Sequence, residues 1–256
     1  MEPQFIFRRS DMGLLTKYGT SPLSSFSDAP EIIYGTGSDG SVDFDGFTIV
    51  LGLLPSLGVY TLTRDIFCNT MRVLPYVQII PNGYRIFVKN ELVMTQASII
   101  GFSSGFSGSG SIAGGGTGAV THSLGGENGD DPGFSATPPT SSLGGSDYYR
   151  QAINATRGYA LTPFGGPTYL RGGAGNGSSP GGGVVICAAR YITFSGPGTI
   201  GQFKAPATPS TANGGGVVLT ISTSASLPAN ITVDVGGGTN GIYSGGNGNH
   251  FHIQAM

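Results

Sequence analysis

The chain of 256 residues carries 46 glycines and 16 prolines, only 10 % charged residues and a formal net charge of −2. Its 12 basic residues are thinly spread and form no stripe that would neutralise a phosphate backbone, so nucleic-acid binding is not expected. Glycine and proline approach the level of disordered chains, but the scarcity of charge and the 11 Tyr and 14 Phe argue for a packed fold. The backbone entropy of so much glycine must be offset, and packing in an oligomer or a larger particle is the natural source.

Residues 1–35 hold Arg8, Arg9, Lys17 and several aromatics with few glycines, and read as an attachment arm. Residues 1–9 lack the order of charge, apolar run and cleavage site of a signal peptide. No apolar run approaches the ~20 residues of a membrane helix. The expectation is synthesis in a cytoplasm, without membrane insertion.

Residues 36–100 read as a β-strand domain. Residues 59–67 are β-rich and partly alternating, and residues 71–80 carry Val73, Tyr76, Val77, Ile79 and Ile80 around Pro75. Pro81-Asn82-Gly83 signals a turn. Beyond it Tyr84, Ile86 and Val88 alternate with Arg85, Phe87 and Lys89, as in a strand with one buried face. Asp39, Asp43 and Asp45 lie around Gly40 and Gly46. Oxygens at this spacing would suit Ca²⁺, but the EF-hand pattern is absent and a plain Asp/Gly turn is the simpler reading.

Residues 101–182 are dominated by Gly, Ser, Thr and Pro and read as loops around short strands, with one helix-like start over residues 146–155. Tyr148, Tyr149, Tyr159 and Tyr169 lie here. Such rings serve sugar or protein recognition, or fill a thin core that lacks Trp. Residues 183–256 return to strands. Cys68 and Cys187 sit in different segments among apolar neighbours, as buried thiols do.

The C-terminal region repeats itself. Gly181-Gly182-Gly183-Val184-Val185-Ile186 reappears 33 residues on as Gly214-Gly215-Gly216-Val217-Val218-Leu219, and a looser copy runs from Gly245 to Ile253. Residues 106–112 and 194–200 echo each other as well. Short apolar strands between Gly-rich turns build stacked β architectures. No long amphipathic helix is found. The expected class is all-β, a Gly-rich stacked architecture of β-helix, β-prism or β-sandwich-like form.

The segments Tyr60-Thr61-Leu62-Thr63-Arg64-Asp65 and Pro81-Asn82-Gly83-Tyr84-Arg85-Ile86-Phe87-Val88, with the glycine-valine cassettes, resemble Gly-rich surface proteins of tailed bacteriophages. These are tail fibres, spikes and other virion structural proteins, and the resemblance covers residues 36–256. It implies an intertwined homotrimer on the outside of the particle, held to other virion proteins through residues 1–35 and in reach of a host glycan or protein. Head decoration is a second place for such a chain. A tailspike glycan depolymerase is a third reading, which needs paired carboxylates in one groove.

His250-x-His252 is the sharpest chemical motif, because residues i and i+2 of a strand share a face. In a trimer it would gather six imidazoles for an octahedral transition metal, and it resembles the His-x-His sites of some phage fibre tips. Otherwise it is a terminal strand with its polar side in water. No glycine string ends in Gly-Lys-Ser/Thr, and His122-Ser123 has no adjacent acidic partner. The chain is therefore expected to act by assembly rather than turnover.

Overall fold

A computed structural model of the chain describes residues 33–102, 182–198, 200–207, 215–240, 243–244 and 247–255. Strands account for most of their regular structure. In chain order they are β1 (Val42–Phe44), β2 (Val59–Thr61), β3 (Ile66–Cys68), β4 (Met71–Val73), β5 (Gln78–Ile80), β6 (Ile86–Thr95) and β7 (Ile99–Gly101), followed by β8 (Val184–Ser195), β9 (Gly201–Lys204), β10 (Val217–Ser222), β11 (Ile231–Asp234), β12 (Thr239–Asn240), β13 (Tyr243–Ser244) and β14 (Asn249–Gln254).

Two parallel sheets contain all but the β12–β13 hairpin. The first runs β1-β4-β6-β8-β10-β14, with β3 also beside β6; the second runs β11-β9-β7-β5-β2. The chain alternates between them, so each circuit adds strand to both. The segments 36–100 and 183–256 share these sheets, because β6 pairs with β8 and β7 with β9. The all-β expectation holds, with parallel sheets.

The repeated cassette is the local sequence signal of this stacking. Val184 lies opposite Val217, and Val217 opposite Asn249, so the three copies occupy one column of neighbouring strands. The glycines before each strand are forced by backbone proximity. A Cβ on Gly216 would stand 2.0 Å from the Gly183 carbonyl oxygen, and one on Gly248 would stand 1.7 Å from that of Gly216. No side chain fits there.

Between the sheets lies the main core, with Phe44, Tyr60, Leu62, Ile79, Ile100, Phe203, Val185 and Val218 all buried. The other face of the first sheet is buried as well, through Phe87, Val184, Ile186, Val217, Leu219 and Ile221. This corrects the expectation that β6 has one solvated face. Phe87 stacks on Phe67 with centroids 5.1 Å apart. Residues Ile33 and Tyr34 join the same apolar layer, and the Tyr34 hydroxyl donates to the Ala255 carbonyl at 3.4 Å. A strand buried on both faces is usual in parallel sheets.

The residues that open and close a circuit touch. The Gly216 amide donates to the Ala205 carbonyl and the Gly248 amide to the Val235 carbonyl, each at 2.8 Å. A Cβ on Gly183 would lie 2.5 Å from the Phe102 ring. The chain therefore passes from the second sheet to the first on one side of the stack, marked by Phe102 with Gly183, Ala205 with Gly216 and Val235 with Gly248. Earlier circuits make this passage in tight turns. There Arg64 forms a two-pronged ion pair with Asp39, at 2.9 and 2.8 Å. Next to it Arg85 is bound to Asp65 through Nε at 2.8 Å and through Nη2.

Candidate functional site

His250 and His252 lie on β14, the last strand of the first sheet. Their register partners are Val218 and Thr220 on β10, whose own partners on β8 are Val185 and Cys187. Val185, Val218 and Cys187 belong to the core between the sheets, and Thr220 is also buried. The imidazoles thus continue an inward-facing column, while Ile253, with Phe251 beside it, packs into the opposite layer. The Thr220 hydroxyl bridges the pair, 3.2 Å from His250 Nε2 and 2.9 Å from His252 Nδ1. His252 Nε2 lies 2.9 Å from the Ser224 carbonyl oxygen, so a proton on that nitrogen makes a hydrogen bond.

Burial, and then the neighbouring His252, push the His250 ring down to about 4. Burial also lowers His252, against the Ser224 carbonyl, which favours its charged form. Both rings are uncharged at neutral pH. Among the described residues no group of three or more His, Cys, Asp or Glu is placed to hold a metal ion. Among the described residues the pair meets hydroxyls rather than a third imidazole, thiolate or carboxylate, a weak donor set for a transition metal.

The acidic residues near the start of the stack serve turns and ion pairs. Asp45 Oδ1 accepts from the amides of Phe47 and Thr48, each at 2.8 Å, and from the Tyr60 hydroxyl at 3.0 Å. These bonds, the Thr48 amide first, hold its carboxyl well below the usual range. The Arg64 hydrogen bond lowers Asp39 as well, which also accepts from the Phe67 amide. The Asp/Gly cluster is thus a pair of turns, with Gly40 and Gly46 at positive φ. Glu91 accepts from the Thr193 hydroxyl at 2.8 Å and Asp234 faces Lys204 at 3.5 Å. Cys68 and Cys187 are buried free thiols, both pushed up to about 12 mainly by burial. Tyr148, Tyr149, Tyr159 and Tyr169 lie outside the described residues, as do the helix-like stretch 146–155 and the first half of the 106–112 echo.

One surface escaped the sequence reading. The β1–β2 connection exposes Phe47, Ile49, Leu54 and Leu57, the first 88 % accessible and the last wholly so. Two turns and the Asp45 carboxylate shape it. The Val50–Leu53 and Ser56–Val59 bridges each close a tight turn, and the Asp45 bonds fix its start. Both turns put a leucine in the left-handed region, Leu51 at φ 52° and Leu57 at φ 49°, a conformation that costs a non-glycine residue about 1–2 kcal/mol. The available signal was the absence of any charge from Gly46 to Thr63. Comparison of the chain with protein-family models, with curated proteins and with solved structures finds no match in any of the three.

Proposed function

We propose that the chain is a structural surface protein of a tailed-phage virion, a fibre, spike or similar appendage. In this reading its two parallel sheets are the walls of a β-helical shaft that assembles as a homotrimer. Residues 1–35 attach it to other virion proteins, and the segments that leave the stack on one side meet the host surface, with Tyr148, Tyr149, Tyr159 and Tyr169 among the contact residues. The observation that supports this most is the in-register stacking of the glycine cassettes, Val184 on Val217 on Asn249. Such a stack gains length by repetition and encloses its apolar groups, as a rigid appendage requires. The engagement of Asp39, Asp45 and Asp65 in turns and ion pairs favours a scaffold over a depolymerase in that part of the chain.

The test is antibody labelling of purified phage particles whose genome encodes the chain, with antibodies raised against the recombinant protein. Labelling at the particle surface is expected. A chain confined to the soluble lysate, absent from particles, would remove the virion reading.

A further inference from the structure

We infer that the exposed apolar corner where the chain passes from the first sheet to the second is the surface on which copies of this chain pack side by side. The register carries the argument. The Gln78 amide donates to the Gly58 carbonyl and the Ile99 amide to that of Val77, so Gly58, Val77 and Ser98 occupy one level position in three circuits. The residues just before them are Leu57, Tyr76 and Ala97. All three are left-handed, at φ 49°, 64° and 52°. The Gln202 amide donates to the Ser98 carbonyl, which sets Ile200 next in the same column. The corner conformation repeated at Leu57, Tyr76 and Ala97 thus aims Leu57 and Tyr76 outward, and Ile200, one circuit beyond Ala97, extends the stripe along the stack.

The stripe is apolar and open. Leu57 is fully accessible, Tyr76 69 % and Ile200 37 %, and Phe47, Ile49 and Leu54 of the same β1–β2 connection as Leu57 are exposed as well. At about 60–120 Å² of apolar surface for an aliphatic side chain and about 150–250 Å² for an aromatic one, these six residues present roughly 500–600 Å². That is most of the ~800 Å² that each partner contributes to a stable interface. Exposed apolar area of this size is at the upper end of what monomeric proteins carry and commonly marks an interaction site.

The occupant is a second copy of the chain. The side chains recur at the strand spacing of ~4.8 Å, so their best complement is a surface with the same repeat running in the same direction. A copy related by an axis parallel to the stack presents that surface, stripe against stripe, and needs no charge to match because the segment from Gly46 to Thr63 has none. Copies around one axis also close the assembly, so no sticky edge is left. The left-handed backbone keeps the stripe preformed, which limits the ordering cost of association. This assignment rests on the reading of the stack as an extended shaft, but not on its place in a virion.

The experiment is sedimentation of the full chain across a concentration series, with Leu54→Glu/Leu57→Asn compared against Thr63→Glu on the opposite corner. Asn tolerates the left-handed turn at position 57, so the fold should survive, as circular dichroism and thermal melting would report. The wild type and Thr63→Glu should be oligomeric. The double variant should need roughly 100-fold more protein for half-assembly. A second variant, Leu57→Cys, should form inter-chain disulfides on mild oxidation while Cys68 and Cys187 stay buried. A monomeric wild type, a folded double variant that assembles like the wild type, or an unlinked Leu57→Cys oligomer would each overturn the assignment. Assembly that is lost in the variant would uphold it even if particles were found to lack the protein.

Discussion

Acid should loosen the last strand of the first sheet, and His250 should be the main cause. An unfolded histidine titrates near 6.5, whereas burial holds the folded His250 ring near 4. The folded-state value is depressed, so above pH 6.5 both states are neutral and the group has no effect on stability. As pH falls from 6.5 to 4 the unfolded chain takes up the proton first, and the folded state loses ground. At about 1.4 kcal/mol per unit the loss reaches about 3 kcal/mol by pH 4, with His252 adding in the same direction. The assay is urea denaturation at pH 7.5, 6, 5 and 4, followed by circular dichroism, for the wild type and His250→Gln. The variant should start less stable at pH 7.5 because it loses a packed ring, yet it should fall less between pH 6.5 and 4. Equal pH slopes in the two proteins would refute a half-buried, neutral His250. Hydrogen exchange should place the acid-sensitive opening at β14 and β10 first.

Gly216→Ala should cost about 3 kcal/mol or more, because its methyl would stand 2.0 Å from a backbone oxygen that cannot move aside without parting two strands. Gly236→Ala is the control, since its methyl would meet only the Asp234 carboxylate at 3.3 Å and should cost under about 1 kcal/mol; equal losses in chemical denaturation would contradict the close packing of the column. Neither Cys68 nor Cys187 should react with a thiol reagent in the native protein, and both should react in denaturant; fast native labelling would show that the core opens readily. Asp65→Asn should lower stability by about 2 kcal/mol, because it takes a charged acceptor from the largely covered Arg85 guanidinium. A melting temperature unchanged within error would assign that pair no structural weight.

The stacking was legible because each circuit demands the same things of the same positions. Glycine is required where backbones nearly touch, and alternating apolar residues are required where both faces are covered. Val184-Val185-Ile186 and Val217-Val218-Leu219 therefore repeat in sequence at the spacing at which they pair in space. Residues 59–67 and 71–80 read as two β-rich stretches, yet each breaks into two short strands. The strands separate at corners, and Tyr76 makes its corner with a left-handed backbone that its residue type does not announce. Phe87 read as solvent-facing because its cover, Phe67 and the segment from Ile33 to Gly35, comes from elsewhere in the chain. The His250-x-His252 spacing disclosed the shared face but not its direction, since inward or outward depends on where β14 joins the stack. The exposed corner was missed for a related reason. Leu54 and Leu57 are core residues by type, and only the register shows that nothing in their own circuit covers them.

The hydrogen bonds from Gly216 to Ala205 and from Gly248 to Val235 complete their circuits before the intervening residues are counted. What lies between those anchors is bracketed by a finished scaffold. Lengthening it acts on the stack through chain closure, at about 0.6 kcal/mol for each doubling. The anchors at Phe102 and Gly183, at Ala205 and Gly216 and at Val235 and Gly248 lie on the same side of one framework. Insertions there should therefore be tolerated at little thermodynamic penalty, while the glycine and valine columns stay fixed. The framework is in effect a holder with interchangeable fittings. A lineage built on it could change what it meets without relearning how to fold, and an engineer could graft a foreign peptide between Ala207 and Gly215 on the same principle.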